Sequence, residues 1–173
     1  MPMKRPHPTF FFALWPSDSE RSQLASWQAP LQKLCAGRAI RNDALHLTLS
    51  YLGCLEPARL EALQQAASRV LAAPFELDLD QARCWPRLVY AAPSQIPPKL
   101  LRLVTELGSS LAAQQFLFDS RAYLPHVTLL RCAQAATLPA MGAVNWTIRD
   151  FALVQSENGV YRVLARFPLG MRA

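Results

Sequence analysis

The sequence predicts an α+β fold built from antiparallel sheets and packed helices. Strand and helix patterns follow one another irregularly, and several neighbouring strands are separated by short turns that suit hairpins. The chain has only six glycines and no glycine-rich phosphate loop, which argues against a doubly wound nucleotide-binding fold. At 173 residues, 51% of them hydrophobic, it is expected to form one domain over 1–173 with a sizeable core.

The first part of the chain alternates strands with helices. The aromatic run TFFFALW (9–15) predicts a buried strand, and SDSERSQLASWQ predicts a helix that ends or kinks at Pro30. The run LHLTLSYL (45–52) predicts a second strand. The segment EPARLEALQQAASRVL carries Pro57 in its first turn and predicts an amphipathic helix.

A strictly alternating segment follows at FELDLDQA (75–82), which predicts a strand with one solvated face. Its acidic residues are interpreted as that wet face rather than as ligands of a divalent cation. RLVYAA (87–92) is predicted to pair with this strand, and PPKLLRLVTELGSSLAA (97–113) predicts a third helix. Trp85 and Trp146 are predicted to be core residues.

The last part of the chain predicts strands only. They fall at HVTLLR (126–131), at VNWTIRDFALV (144–154) and at VYRVLARF (160–167). Asn158-Gly159 lies between the last two and predicts a tight hairpin, because both residues accept the left-handed backbone that such turns need.

Charge and cysteine spacing narrow the class of partner. The net charge of +6 favours an anionic partner such as RNA or a phosphorylated substrate. The four cysteines have no metal-site spacing, so we expect reduced thiols, a cytoplasmic location and no metal. No run approaches the ~18–20 apolar residues that span a bilayer, so no membrane partner is expected.

A repeated pattern, His-x-Thr-Leu, marks two of the predicted strands. It occurs in HLTLSYLG (46–53) and again in HVTLLR. Because side chains alternate along a strand, His46 and Thr48 share one face and leucines occupy the other. His126 and Thr128 are arranged in the same way. Two such strands meeting across a cleft would direct two imidazoles and two hydroxyls at one point.

This set of groups suits a phosphodiester. One neutral imidazole can accept a proton from an attacking hydroxyl or water, while a protonated one donates to the departing oxygen. Threonine hydroxyls and Arg131 can bind the other phosphate oxygens. Arg131 lies an odd number of residues from His126, so either a bulge or the end of the strand must bring it to the same face, or its role is indirect.

Other interpretations stay open at this point. His7-Pro8-Thr9 also fits His-x-Thr, but Pro8 cannot donate to a ladder and the motif lies near a chain end, so no role is predicted for His7. One alternative function is a module that binds RNA ends without turnover. A metal site built from histidines is a weaker alternative.

Both motifs resemble the paired HxTx signatures of the 2H phosphoesterase superfamily. The whole chain is similar to that superfamily's RNA 2′,3′-cyclic phosphodiesterases, once named 2′-5′ RNA ligases. FFFALWP, the Arg-led RLVYAA and the closing FALVQSENGVYRVLARFPL support the resemblance. It implies a two-lobed, pseudo-twofold fold with one motif per lobe facing a central groove.

The resemblance also implies an activity. A terminal 2′,3′-cyclic phosphate would be opened to a 2′-phosphate without metal or other cofactor, with a reversible 2′-5′ joining activity. His46 would be the acid for the departing 3′ oxygen and His126 the base that activates water. The substrate would be an RNA 3′ end, and the protein a monomer. The same chemistry on a small cyclic nucleotide phosphate or on a 2′-5′ oligonucleotide is the alternative. The expected substrate-binding residues are Thr48, Thr128, Arg131, Tyr51, Phe12, Tyr161 and Ser156.

Overall fold

The computed structural model describes residues 7–170, and its mixture of antiparallel strands and helices confirms the predicted α+β class. The strands are β1 (Thr9–Leu14), β2 (Arg38–Ala39), β3 (Leu47–Cys54), β4 (Phe75–Leu79), β5 (Gln81–Trp85), β6 (Arg87–Ala92), β7 (Val127–Ala133), β8 (Val144–Ile148), β9 (Asp150–Glu157) and β10 (Val160–Pro168). The helices are α1 (Asp18–Cys35), α2 (Leu60–Ser68) and α3 (Pro98–Ala113). None of them is long and apolar enough to cross a membrane.

The main sheet divides into two halves. Its strand order is β10-β9-β1-β3-β7-β6-β5, with β2 added beside β7, and every pairing is antiparallel. β3 and β7 pair only through Leu47 and Val127, so the halves join at one narrow seam. Helix α1 packs against β6, β7 and β8, whereas α3 packs against β3 and α2 against β10. Each half of the sheet therefore has its own helical cover, as the two-lobed prediction requires.

The strictly alternating segment behaves as predicted but finds a different partner. Phe75, Leu77 and Leu79 are buried in the core, and the residues between them are exposed. β4 pairs with β8, so its acidic residues meet polar side chains of that strand. The predicted pairing of RLVYAA with FELDLDQA is confirmed only at the end of that segment, where Gln81 pairs with Ala92 and Ala82 with Ala91; β4 itself does not pair with β6. The chain turns after β4 and forms β5, a nearer partner that reaches β6 by a tight hairpin.

Two further boundaries differ from the prediction. The segment 144–154 forms two strands rather than one, because β8 joins the small sheet and β9 the main sheet. Helix α1 continues past Pro30 to Cys35. Proline removes one backbone hydrogen bond, but Pro30 lies on the exposed face, where water can hydrate the carbonyl that loses its partner.

The predicted hairpin at Asn158-Gly159 is confirmed. Their φ angles are 52° and 75°, so both occupy the left-handed region that a two-residue turn of this kind requires. The turn joins β9 to β10 and sets Ser156 opposite Tyr161.

Candidate active site

Two histidines lie immediately before the strands that join the two halves of the sheet. His46 precedes β3 and His126 precedes β7. The seam pair Leu47 and Val127 is fully buried, so each strand is anchored in the core directly beside its histidine. The apolar residues of each motif therefore fix where the imidazoles lie.

The seam places the four polar motif residues at the corners of a rectangle. Extending its register by one residue in each direction sets His46 opposite Thr128 and Thr48 opposite His126. Side chains directly across a pair of strands lie about 5 Å apart, and those two residues along a strand about 7 Å apart. The histidines thus occupy one diagonal and the threonines the other, which leaves room for one phosphate-sized group between the imidazoles.

Both imidazole rings are oriented by the same backbone contact. Nδ1 of His46 lies 2.7 Å from the carbonyl oxygen of Ala44, and Nδ1 of His126 lies 2.8 Å from that of Leu124. A carbonyl only accepts hydrogen bonds, so each Nδ1 carries the proton. In the neutral ring Nε2 is therefore unprotonated, and it can take a proton as a base or donate one after protonation.

Both rings line one open pocket of about 560 Å³. This pocket, which we call the central pocket, brings together eight of the nine predicted site residues: His46, Thr48, Tyr51, His126, Thr128, Arg131, Ser156 and Tyr161. Arg38 and Arg41 line it as well, and no carboxylate of residues 7–170 does. The lining therefore favours an anion.

A bulge turns Arg131 into the central pocket. Across β6 and β7, Tyr90 pairs with Thr128 and Val89 with Leu130, so one residue, Leu129, is extra. The extra residue reverses the alternation after it, which buries Leu130 and returns Arg131 to the face of Thr128. Regular alternation would place Leu130 on the face of His126 and Thr128, and the bulge is the reason that it is buried instead.

A matching bulge exists at the first motif. Between β1 and β3 the register skips Leu49, so Ser50 is buried and Tyr51 faces the central pocket. Regular alternation predicts Ser50 on the face of His46; its Oγ is instead buried with no hydrogen-bond partner in the described part of the chain. Tyr51 therefore occupies the position in β3 that Arg131 occupies in β7.

The backbone beside Arg131 is held by a close approach. β2 pairs Arg38 with Arg131, and Gly37 precedes it with φ of 86°. A Cβ at Gly37 would lie 2.7 Å from the carbonyl oxygen of Arg131. Only glycine fits there, so Gly37 keeps the two arginines side by side at the pocket wall.

The prediction that Phe12 contacts substrate is wrong. Phe12 is fully buried and packs against Phe151 and Phe167. Its neighbour Phe11 lines the central pocket and lies 4.9 Å from the His46 ring. Alternation predicts that these two neighbours face opposite sides, but an all-aromatic run does not show which of them faces the pocket.

Several aromatic residues beside the histidines were not predicted as site residues. Trp15 stacks on His46 with ring centroids 5.5 Å apart and an interplanar angle of 19°. Trp85 presents an edge to His126 at 5.0 Å and is only half-buried, so its assignment to the core is wrong. Trp146 is a core residue, as predicted. Aromatic walls restrict both imidazoles to a narrow range of orientations.

Burial controls the charge of His46. Desolvation lowers its pKa from the ordinary 6.5 to about 4; the hydrogen bond to Ala44 opposes this shift, and the cationic groups His126, Arg131 and Arg21 add to it. His46 is therefore neutral near pH 7. Before substrate binds it is poised to accept a proton, and acting as the acid requires that a bound phosphate raise its pKa.

The low pKa of His46 predicts a loss of stability in acid. The unfolded chain takes up a proton near pH 6.5 and the folded chain only near pH 4, so stability should fall as the pH drops through this window. The full loss amounts to about 3 kcal/mol. Urea unfolding at pH 4 to 7 measures it, with His46→Gln as the comparison. Equal pH slopes for the two proteins would contradict the burial account.

The third His-x-Thr sequence, which begins at His7, lies outside the central pocket. His7 is exposed and does not line the central pocket. His7→Ala is therefore expected to keep turnover within about two-fold of wild type, since surface changes rarely exceed ±0.5 kcal/mol. Steady-state kinetics on the same substrate checks this, and a collapse of activity would show that the pocket has been misassigned.

Comparisons with known proteins identify similar sequences. The profile of the family described as "LigT like Phosphoesterase" matches residues 14–92. The RNA 2′,3′-cyclic phosphodiesterase of Escherichia coli K12 is 35% identical over 160 residues, which are 90% of each chain.

Solved structures extend the likeness to the fold. The crystal structure of E. coli LigT complexed with 3′-AMP is 32% identical with a TM-score of 0.85, over 95% of this chain and all of that one. A Thermus thermophilus protein is 26% identical with a TM-score of 0.77, over 93% of this chain and 97% of that one. With a relative this similar over nearly its full length, the chain belongs to the LigT-like phosphoesterases of the 2H superfamily.

Proposed function

We propose that the protein hydrolyses the terminal 2′,3′-cyclic phosphate of RNA to a 2′-phosphate. The observation that carries the proposal is the pair of oriented imidazoles in one arginine-lined pocket, each without a hydrogen bond at Nε2 from residues 7–170. The name of the E. coli relative supports this substrate class. Four unpaired thiols suit a reducing compartment, so we place the activity in the cytoplasm, in a single-domain monomer.

The reaction divides the work between the histidines. Water attacks phosphorus and loses a proton to one Nε2, the bond from phosphorus to O3′ breaks, and the other imidazolium protonates O3′. The products are a 2′-phosphate and a 3′-hydroxyl. Acid and base must lie on opposite sides of the phosphorus, and the diagonal placement of His46 and His126 supports this arrangement.

The threonines and Arg131 hold the phosphate in this scheme. Thr48 and Thr128 lie on the other diagonal, where their hydroxyls can donate to the non-bridging oxygens. Arg131 has no acidic partner within residues 7–170, so its charge is available to the anion. Tyr51, Ser156 and Tyr161 extend the wall towards the nucleoside.

Product analysis tests the proposal. A short RNA ending in 2′,3′-cyclic phosphate is incubated with the protein in EDTA, and its end is assigned as a 2′- or a 3′-phosphate. A 2′-phosphate is expected. An intact end with retained binding would favour a binding module instead, and faster turnover of the cyclic mononucleotide would favour a small-molecule substrate.

A further inference from the structure

Arg21 is a buried cation that the proposed reaction does not use. It lies in α1, is 9% exposed and does not line the central pocket. A buried guanidinium is costly unless its donors are satisfied. Its contacts therefore show what it stabilises.

One set of contacts leads to the turn that orients His46. The Arg21 guanidinium donates to the carbonyl oxygen of Asn42 at 2.5 Å and to that of Pro16 at 3.0 Å. Asn42 begins a short 3₁₀ turn, Asn42–Ala44. The last residue of that turn supplies the carbonyl that binds Nδ1 of His46. Arg21 thus fixes one end of the turn, and His46 is held by the other.

A second set of contacts leads to the face of the His46 ring. The Arg21 guanidinium lies over the Trp15 ring at 5.5 Å, and Trp15 in turn stacks on His46. Trp15 therefore contacts both groups, and the hydrogen bond to Pro16 ties the guanidinium to the residue after Trp15. A cation over an indole contributes about 0.5–2 kcal/mol, enough to favour one ring position.

We propose that Arg21 and Trp15 are positioning residues for His46, which hold the turn and the ring face so that Nε2 points into the central pocket. This rests on the proposed function, because it assigns them to a catalytic imidazole. It predicts that turnover depends on two side chains, neither of which lines the central pocket.

Charged groups on the neighbouring elements affect the pKa that we expect for His46. His46 faces His126, which directly precedes β7, and the guanidinium groups of Arg131 in β7 and Arg21 in α1. The charged groups around Arg21 are Asp18 of α1, Asp43 of the turn and Arg166 of β10. Arg21 and protonated His46 repel each other, so removing the guanidinium charge should raise the pKa of His46.

The test compares two substitutions of Arg21. Arg21→Met keeps much of the stem but removes the charge and both hydrogen bonds. We expect kcat to fall about 10- to 100-fold with KM little changed, because a misplaced catalytic group costs that much. The His46 ring should also titrate at higher pH by NMR. Arg21→Lys keeps the charge but cannot form the two-pronged contact, so kcat should fall while the titration stays near wild type.

Arg59 provides a matched control. It donates to the carbonyl oxygen of Gln114 at 2.8 Å and lies over the Phe116 ring at 4.0 Å, away from the central pocket. Arg59→Met therefore loses the same kinds of contact, and it should lower stability without changing kcat or the His46 titration. If Arg21→Met matches Arg59→Met in both readouts, the proposal is overturned.

Two further variants keep the test decisive. Trp15→Leu should lower kcat and change the pKa of His46. Trp15→Phe keeps an aromatic face, so its kcat and its His46 pKa should both lie closer to the wild-type values. If Arg21→Met does not fold, the kcat values of Arg21→Lys and Trp15→Leu decide. A wild-type kcat in both of these variants would overturn the proposal. The titration needs no turnover, so it still reports on Arg21 if the wild-type protein fails to hydrolyse cyclic-phosphate RNA.

Discussion

His126→Ala is expected to lower kcat on a cyclic-phosphate RNA end by at least ~10²-fold, the usual contribution of a positioned acid or base. The ring is only half-buried, and its contacts are edges of Trp85 and Tyr90. Its removal should therefore cost little stability. Single-turnover rates together with urea unfolding separate the loss of chemistry from the loss of fold.

The double variant with His46→Ala sharpens this prediction. Two groups that act as one acid-base unit are not additive, so the double substitution should be only slightly slower than the slower single one. Multiplied losses, or a His126→Ala protein that keeps most of its turnover, would contradict a shared proton-transfer role.

His46→Ala is expected to cost a similar ~10²-fold in kcat and, unlike His126→Ala, to disturb its surroundings. His46 is enclosed by Phe11, Trp15 and Tyr161, with ring centroids 4.9 to 5.5 Å away. Alanine leaves a gap among these rings, so a loss of packing adds to the loss of chemistry.

His46→Gln separates these two effects. It fills more of the space and can donate to the Ala44 carbonyl, but it cannot transfer a proton at Nε2. We expect stability near wild type together with the full loss of kcat. Recovery of turnover in His46→Gln, measured by the same single-turnover assay, would show that packing rather than proton transfer explains the effect.

The sequence was sufficient for the placement of both motifs because their apolar positions are unambiguous. Leucine or valine directly after each histidine must be buried, so His46 and His126 must lie at the surface of their strands. The odd spacing between His126 and Arg131 also showed that regular alternation would not bring Arg131 to the face of His126. The structure shows that a bulge at Leu129 does so.

Features that depend on residues far apart in the sequence could not be predicted from local sequence patterns. Phe11 and Phe12 are chemically alike, and only the packing of β1 between β3 and β9 decides which one is buried. β4 pairs with β8 far along the chain, whereas its nearest strand in sequence pairs elsewhere. The contacts among Arg21, Trp15 and His46 join three separate segments, which are helix α1, the residue after β1 and the residue before β3. No spacing rule could have found them.

A crystal structure of the protein with inorganic phosphate tests the central claim most directly. We expect one phosphate in the central pocket, with Nε2 of His46 and Nε2 of His126 each within about 3.2 Å of its oxygens and on opposite sides of the phosphorus. A phosphate that contacts only one imidazole, or that binds outside the central pocket, would contradict the account.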